Sequence, residues 1–250
     1  MHTTLVINPK GGSGKTTVAT NLASYFAARG LSTTLVDYDP QGSSVNWVKQ
    51  RNAAQPRIHS ADATPTKTGL RTMRMHVPAD TQQLIIDAPA GATGFLLQEM
   101  LARSHCVLLP VAPSAIDIHA TANFIRDLLL AGRLRARNIR LGVVANKVRN
   151  SMPTYAPLER FLKSLNFPIV ARLSDSDAYL EAAETGVGIF EMSASQGVSE
   201  RAQFMPIVEW VGGPQQKVED KVVALRAGDR LPAALQKSIP SFLRTGWQPR

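Results

Sequence analysis

Short apolar runs alternate along the chain with longer stretches in which apolar side chains recur every three or four positions. The short runs predict buried parallel strands, at residues 3–8, 33–37, 83–87, 106–110, 141–145 and 167–171. The long stretches predict helices at 16–29, 114–131 and 193–210, the last with a kink or restart at Pro206. Shorter elements are predicted at 45–51, 57–59, 68–75 and 157–165. This alternation indicates an α/β fold, a mostly parallel twisted sheet with helices on both faces.

The first predicted strand runs directly into a glycine-rich loop, residues 8–17, of sequence Asn-Pro-Lys-Gly-Gly-Ser-Gly-Lys-Thr-Thr. A strand, a glycine loop and a helix in this order form a concave site for phosphate oxygens. In such a loop Lys15 can reach the β and γ phosphates and the Thr16 hydroxyl can bind Mg²⁺. The alternative is a glycine-rich turn without a ligand. The residues expected to hold a nucleotide are Gly11, Gly12, Ser13, Gly14, Lys15, Thr16 and Thr17.

Two further strands end in carboxylates. Asp37 and Asp39 lie in the sequence Asp-Tyr-Asp-Pro-Gln-Gly, and Asp87 ends the strand at 83–87. Open α/β sheets bind ligands at the carboxyl ends of their strands, which is where these acids are expected. An acid at a strand tip near a P-loop holds Mg²⁺ directly or through water, and we expect this role for Asp87. Asp37 and Asp39 could instead be turn or helix-capping residues.

The loop departs from the plain P-loop pattern at two positions. Pro9 stands where that pattern needs a glycine, and a second lysine, Lys10, precedes the glycine pair. The form Lys-Gly-Gly-x-Gly-Lys-Thr-Thr resembles the deviant P-loop of the ParA/MinD family of ATPases. The Asp-x-Asp-Pro-Gln-Gly segment resembles the same family, and the likeness is greatest to its short ParA group, which includes plasmid-partition and carboxysome-positioning proteins. The resemblance ends near residue 212.

This resemblance implies roles for individual residues. Lys10 would reach across a dimer interface to the partner's nucleotide, Asp39 would position the attacking water, and Asp37 would support Mg²⁺ or the loop. The implied catalytic residues are Lys10, Lys15 and Asp39, and the implied metal-binding residues are Thr16, Asp37 and Asp87. The implied enzyme is a slow, partner-stimulated ATP hydrolase with ATP and Mg²⁺ as cofactors.

Asn146 directly follows the strand at 141–145, and the resemblance implies that it bonds the adenine edge. Asn146-Lys147 also resembles the GTPase motif Asn-Lys-x-Asp, but Arg149 stands where that motif needs its aspartate. This removes the carboxylate that selects guanine and favours ATP. Ser114 begins a helix in a segment that resembles one near the family's dimer interface, and it can also be a simple N-cap.

The chain carries a net charge of +9, from 28 basic and 19 acidic residues. A protein this basic is expected to meet a polyanion, either nucleic acid or an anionic membrane, although a merely basic surface is the alternative. One arginine cluster comprises Arg133, Arg135, Arg137 and Arg140. We expect it to contact DNA phosphates, and the alternative is a solvated helix end. By the resemblance, Arg172 occupies a position where nucleoid-binding relatives contact DNA; the alternative for Arg172 is a salt bridge to Asp175 or Asp177.

We predict a ParA-like ATPase domain over 1–212 and a basic C-terminal extension over 213–250. The extension could be disordered, pack on the dimer, or touch DNA, cargo or membrane.

The single cysteine, Cys106, excludes a disulfide within the chain. It also argues against relatives that bridge an iron–sulfur cluster, since those need cysteines at their subunit interface. No apolar run approaches the ~18 residues of a membrane span, and no signal peptide is apparent. A cytoplasmic, nucleoid-associated protein is expected.

The function implied by the resemblance is ATP-driven positioning. An ATP-sandwich homodimer would bind non-specific DNA and, with a hydrolysis-stimulating adaptor, position or segregate a plasmid, chromosome, carboxysome or other large assembly. The alternative is a MinD-like membrane-associated switch that localises a protein partner. Its amphipathic helix would have to lie near residues 239–247, where Pro240 and Gly246 interrupt the apolar face.

Overall fold

The computed structural model describes residues 1–64, 76–130, 134, 137–149, 160, 163 and 167–213, with the side chains of 115–119 and 130 excepted. Its strands are β1 (His2–Val6), β2 (Thr33–Asp37), β3 (His59–Asp62), β4 (Gln83–Asp87), β5 (Cys106–Val111), β6 (Arg140–Val148) and β7 (Ile169–Ser174). Its helices are α1 (Lys15–Ala28), α2 (Ser43–Gln50), α3 (Gly94–Arg103), α4 (Ala115–Leu130), α5 (Asp177–Thr185) and α6 (Val198–Gly212).

The strands form one seven-stranded sheet in the order β3-β2-β4-β1-β5-β6-β7, and every neighbouring pair is parallel. Alternate residues of each strand face opposite sides, so Leu5 and Ile7 join one apolar cluster while Val6 joins the other. The first cluster includes side chains of α3 and α4, and the second includes side chains of α1, α2, α5 and α6. The predicted parallel sheet with helices on both faces is confirmed.

Some elements differ from the sequence prediction. Strands β2 and β4 have the predicted bounds, whereas α3 was not predicted. Helix α6 begins at Val198 rather than at 193, because Gly197 at φ 62° lies outside the helical region, and it continues through Pro206. The helix predicted at 68–75, nearly all of the one at 157–165, and the extension from 214 onward lie outside the described residues.

The register of the central strands brings the predicted acids together. Asp87 at the end of β4 is paired with Asp37 on β2 and with Val6 on β1. The chain leaves β1 at this level and enters the glycine loop, whose Pro9 carbonyl accepts a hydrogen bond from the Gly91 N–H at 3.0 Å. The carboxyl ends of β1, β2 and β4 therefore build a single site, as expected for an open α/β sheet.

Candidate nucleotide-binding site

The glycine loop turns sharply between β1 and α1. Gly12 has φ 74° and Gly14, the residue before α1, has φ 92°. A Cβ on Gly14 would lie 1.9 Å from Nδ2 of Asn146, so both backbone conformation and space require glycine there. The side chain of Asn8 fixes the start of the loop, since its Nδ2 donates to the Pro110 carbonyl at 2.7 Å and its Oδ1 accepts from the Lys10 N–H at 2.8 Å.

Lys15 is the first residue of α1, and its side chain folds back across the loop. Its ammonium donates to the carbonyl oxygen of Lys10 at 3.0 Å, and the residue is only 7% exposed. Burial lowers the pKa of this ammonium, while the nearby carboxylates of Asp87 and Asp39 oppose the shift. The position of Lys15 at the start of α1 is typical of a P-loop lysine, and its contact with phosphate oxygens stays a prediction.

Thr16 and Asp87 form the second contact of the site. The Thr16 hydroxyl donates to Oδ2 of Asp87 at 2.8 Å, and Oδ1 of Asp87 is buried with no hydrogen-bond partner among the described residues. Burial raises the pKa of the Asp87 carboxyl to about 7; the Asp37 and Asp39 carboxylates also raise it, and the Thr16 hydrogen bond and Lys15 oppose the rise.

These atoms form a donor set that suits Mg²⁺. A hydroxyl beside a buried carboxylate with one unpartnered oxygen is an all-oxygen donor set, which Mg²⁺ prefers, and Mg²⁺ commonly takes only one or two carboxylates alongside substrate phosphates. Within the described residues no group of three or more His, Cys, Asp or Glu side chains could hold a metal by itself. A metal here would therefore depend on the nucleotide's oxygens and on water for its remaining ligands.

Asp37 is buried and accepts hydrogen bonds from three backbone donors. Its Oδ1 accepts from the Asp39 N–H at 2.9 Å, and its Oδ2 accepts from the N–H groups of Ser44 and Val45 at 3.0 and 3.2 Å, in the first turn of α2. These contacts match the expected support of the loop and the helix-capping alternative, and the expected support of Mg²⁺ by Asp37 stays a prediction.

Asp39 lies between Asp37 and α2, on the loop that faces the P-loop. It is partly exposed, and its Oδ1 accepts from the Gln41 N–H at 3.0 Å, which fixes the turn. The Asp39 carboxylate is close enough to act electrostatically on Lys15 and Asp87, since its charge raises the pKa of both groups. Lys10 is also partly exposed, and its expected role across a dimer interface stays a prediction.

Asn146 ties β6 to the P-loop. Its side-chain Nδ2 donates to the Ser13 carbonyl at 2.8 Å, and the residue is buried. Because Nδ2 is used in this contact, Oδ1 remains as the acceptor of this amide that a base amino group could meet. The next residue, Lys147, has the left-handed φ of 54°, and the β6–β7 register shifts between Ala145 and Val148. The pairing of β6 with β7 is therefore interrupted at Asn146 and Lys147 and resumes at Val148, which pairs with Ser174.

The arginines predicted to contact DNA occupy different environments. Arg172 on β7 and Arg137 in the turn before β6 are exposed, while Arg133 and Arg135 lie outside the described residues. Asp175, one expected partner of Arg172, forms an ion pair with Arg149.

Arg140 corrects our expectation, because it is buried and its guanidinium caps the end of α6. Its Nη1 donates to the Trp210 carbonyl at 2.6 Å, its Nη2 donates to the Val211 carbonyl at 3.0 Å, and its guanidinium carbon lies 4.7 Å from the centre of the Trp210 ring. In this position Arg140 stabilises the fold and is not available to phosphates.

Sequence reasoning also missed a buried ion pair that fixes α2. Arg51, directly after α2, donates to both carboxylate oxygens of Glu191 at 2.8 and 2.6 Å and to the carbonyls of Gly186 and Pro56 at 2.9 Å each. Helix α2 is therefore held at its start by Asp37 and at its end by Arg51. The partners of Arg51 are up to 140 positions away in the chain, and no local pattern signals them.

Comparison with known proteins identifies the family. Residues 4–189 match the model of the CobQ/CobB/MinD/ParA nucleotide-binding domain. The chain belongs to this family. The expected ParA/MinD membership is thereby confirmed over the part of the chain that forms the sheet and the P-loop.

Among the relatives, maintenance of carboxysome distribution protein A from Halothiobacillus neapolitanus is 26% identical over 197 residues, which cover 77% of this chain and 88% of that protein. Many solved structures share the fold, and two of them illustrate it. A Cyanothece McdA variant in complex with ATP has a TM-score of 0.63 and 16% identity, covering 88% of this chain and 99% of that one. MinD from Pyrococcus horikoshii, complexed with Mg-ADP, has a TM-score of 0.62 and 17% identity, covering 87% and 99%.

None of the helices in the described part of the chain is both long and apolar enough to cross a bilayer.

Proposed function

We propose that this protein is an ATP-dependent, dimerising ATPase that binds non-specific DNA in its ATP-bound state and positions or segregates a large cargo with the help of an adaptor. The Thr16–Asp87 contact supports the nucleotide-binding part of this proposal, because it leaves a buried carboxylate oxygen without a partner among the described residues. It lies beside a loop in which a Cβ on Gly14 would clash with Asn146. The family match supports the same conclusion.

Different residues of this chain would bind the phosphates, the Mg²⁺ ion and the base of the nucleotide. The backbone N–H groups of residues 11–17 and the N-terminus of α1 would bind phosphate oxygens. The ammonium of Lys15 donates to the Lys10 carbonyl in this structure, and it would donate to phosphate oxygens when a nucleotide is bound. Thr16 and Asp87 would hold Mg²⁺, whose chemistry here is to neutralise charge on the phosphate oxygens. The Oδ1 atom of Asn146 would accept from the adenine amino group.

Hydrolysis would depend on the loop that carries Asp39. The Asp39 carboxylate would orient the attacking water, while Asp37 holds this loop and α2 in place through its three backbone hydrogen bonds. Lys10 would complete the site of a second subunit, so that ATP stabilises a sandwich dimer and hydrolysis dissolves it. The nucleotide state would then control the binding of any partner that recognises only the dimer.

DNA is the partner that we propose for the dimer. The net charge of +9 and the exposed Arg172 and Arg137 support a phosphate-binding surface, and such binding carries no sequence preference when it rests on charge alone. A relative named for carboxysome distribution and another named ParA support a positioning role, with the cargo and adaptor still to be identified. A cytoplasmic, nucleoid-associated location follows from this proposal.

The decisive experiment measures binding to random-sequence duplex DNA without nucleotide, with ADP and with ATP plus Mg²⁺, each at two salt concentrations. We expect binding only with ATP, weakened by salt. Lys15→Ala should abolish nucleotide and DNA binding together, whereas Lys49→Ala, which removes an exposed lysine on α2, should not. Absence of DNA binding in every state, together with ATP-dependent flotation on anionic liposomes, would replace the DNA proposal by the membrane switch.

A further inference from the structure

We propose that Glu191 is a positioning residue for the loop that carries Asp39, and that it acts from the opposite end of α2. This inference rests on the proposed ATPase function and deepens it. Glu191 lies in a short segment, residues 186–191, which we call the brace. The brace contacts both α1, which follows the phosphate loop, and α2, which follows the Asp39 loop, and so fixes one half of the nucleotide site against the other.

The brace is attached to the end of α2 by charge and by close packing. Both carboxylate oxygens of Glu191 accept from the Arg51 guanidinium, at 2.6 and 2.8 Å, and Oε2 also accepts from the Gly188 N–H at 2.8 Å. A Cβ on Gly186 would lie 2.8 Å from the backbone nitrogen of Arg51, so glycine is needed for this approach. The side chains of Arg51 and Glu191 are buried, and water does not compete for their contact.

The other side of the brace is attached to α1. The Ile189 N–H donates to Oδ1 of Asn21 at 2.8 Å, while Nδ2 of Asn21 donates to the Thr17 carbonyl, also at 2.8 Å. Gly188 approaches the same helix closely, since a Cβ there would lie 1.8 Å from Oγ of Ser24. The brace is therefore connected through Asn21 to the first turn of α1, in which Thr17 ends the phosphate loop.

Helix α2 connects the brace to the acidic loop. It has eight residues, and its first turn donates the N–H groups of Ser44 and Val45 to the Asp37 carboxylate. That carboxylate also accepts from the Asp39 N–H at 2.9 Å, so a displacement of α2 would move the Asp39 backbone as well. The ion pair at the end of α2 thereby determines where the loop at its start lies.

The geometry of the nucleotide site depends on this connection. Asp39 lies on the loop before α2, whereas Lys15 begins α1 and Asp87 ends β4. The Asp39 charge raises the pKa of both other groups, so the three side chains belong to one site. A displacement of about 1 Å at a catalytic group can lower a rate by about 100-fold. A loop of Asp39 that is not held through α2 would therefore support slow hydrolysis.

Two variants loosen the brace in different ways. Glu191→Gln keeps the shape but removes the charge, which leaves the Arg51 guanidinium buried without its counter-ion. Arg51→Lys keeps both charges but loses the planar group that also reaches the carbonyls of Gly186 and Pro56. Arg140→Ala is the matched control, because it removes the contacts of another buried arginine, at the end of α6 rather than of α2.

The test measures MgATP affinity and basal ATP turnover at saturating nucleotide, in the folded, full-length wild type and the three variants. We expect Glu191→Gln and Arg51→Lys to keep the wild-type affinity and to lose at least about tenfold in turnover, because the phosphate loop stays in place while Asp39 is displaced. Arg140→Ala should be less stable but turn over ATP at the wild-type rate. Hydrogen exchange in the first turn of α2 should be faster in the two brace variants than in Arg140→Ala.

The outcomes separate this inference from the proposed function. A wild type that neither binds nor hydrolyses ATP would overturn both. Wild-type turnover in Glu191→Gln and Arg51→Lys, when the wild type itself hydrolyses ATP, would overturn the inference alone. An equal loss of turnover in Arg140→Ala, or a loss of affinity in step with turnover, would assign the ion pair a purely structural role and also overturn the inference. Arg51→Lys decides the question by itself if Glu191→Gln does not fold.

Discussion

Thr16 and Asp87 are 71 positions apart in the chain, yet the Thr16 hydroxyl donates to the Asp87 carboxylate at 2.8 Å. The contact forms because the first turn of α1 and the end of β4 meet at the same edge of the sheet. It leaves Oδ1 of Asp87 buried and unpartnered among the described residues, and this atom is the main reason for placing Mg²⁺ in the site.

The Asp87 carboxyl predicts a pH dependence of Mg²⁺-nucleotide binding. Burial raises its pKa from 3.8 to about 7, so without metal the group is protonated below pH 7, and a cation must compete with the proton. We expect affinity for MgATP to rise with pH up to about 7 and then to level off. Calorimetric titrations between pH 5.5 and 8.5 measure this. Asp87→Asn should bind weakly with a flat profile, and a wild-type profile of the same flat shape would contradict the assignment.

The same raised pKa of Asp87 predicts the opposite pH dependence for the stability of the metal-free protein. A carboxyl whose pKa is higher in the folded state binds its proton more tightly there than in the unfolded chain, so its contribution favours folding at low pH. That contribution is lost as pH rises from about 4 to about 7. Comparing urea unfolding of the wild type and Asp87→Asn over this range isolates it, because the variant lacks the titrating group.

Asp39→Ala tests the proposed hydrolytic role. Removal of the carboxylate should lower the ATPase rate by a factor of roughly 100 or more, the usual size of a general acid–base contribution, and leave ATP binding intact. The dimer should then persist with ATP and remain on DNA. Phosphate release and analytical ultracentrifugation measure the two effects. Asp80→Ala, at an exposed aspartate, is the control, and equal turnover in all three proteins would remove Asp39 from the mechanism.

Gly14→Ala tests the steric requirement of the loop. An alanine Cβ would lie 1.9 Å from Nδ2 of Asn146 at a backbone φ of 92°, so the loop or Asn146 must move. We expect loss of nucleotide binding and a destabilisation of about 1–3 kcal/mol, the cost of a strained backbone position. Gly212→Ala, at a helical glycine with nothing within 4 Å of the added carbon, is the matched control and should be neutral in both measurements.

The buried pair of Arg51 and Glu191 should be important for stability. Their side chains are 5% and 7% exposed, and removal of one partner leaves the other charge uncompensated. We expect Arg51→Met to lower the free energy of unfolding by about 3–5 kcal/mol, and Arg51→Met with Glu191→Leu to recover part of this loss. Urea unfolding measures both. The exposed pair of Arg103 and Glu99 gives the comparison, since Arg103→Ala should cost less than about 1 kcal/mol.

Arg172 and Arg140 should respond differently to substitution. Arg172→Glu should weaken DNA binding and leave the ATP dimer intact, because the residue is exposed on β7. Arg140→Ala should instead lower stability, since it frees the carbonyls of Trp210 and Val211 at the end of α6. DNA binding and thermal unfolding, measured on both variants, separate the two roles. Unchanged DNA affinity in Arg172→Glu would move the DNA site to residues 133–137 or to the extension.

The local pattern of the chain was sufficient to predict the sheet and the phosphate loop. Strands β2 and β4 have the predicted bounds because each is an apolar run closed by a carboxylate. The loop from Asn8 to Thr17 could be recognised because phosphate binding needs glycines and a lysine at fixed neighbouring positions. Helix α3 was not predicted, since it begins at Gly94 and glycine is a poor helix former.

Contacts between distant residues depended on the tertiary structure. The sequence placed Arg140 with its neighbouring arginines as a phosphate contact, but the packing of α6 against the sheet buries it against two carbonyls. Asp37 could support Mg²⁺, support its loop or cap a helix, and only the folded structure shows that it accepts hydrogen bonds from the start of α2. The sequence alone determined the family and the phosphate loop, because both depend on residues adjacent in the chain. The folded structure decided which charges are paired and which are exposed, because their partners lie on other strands and helices.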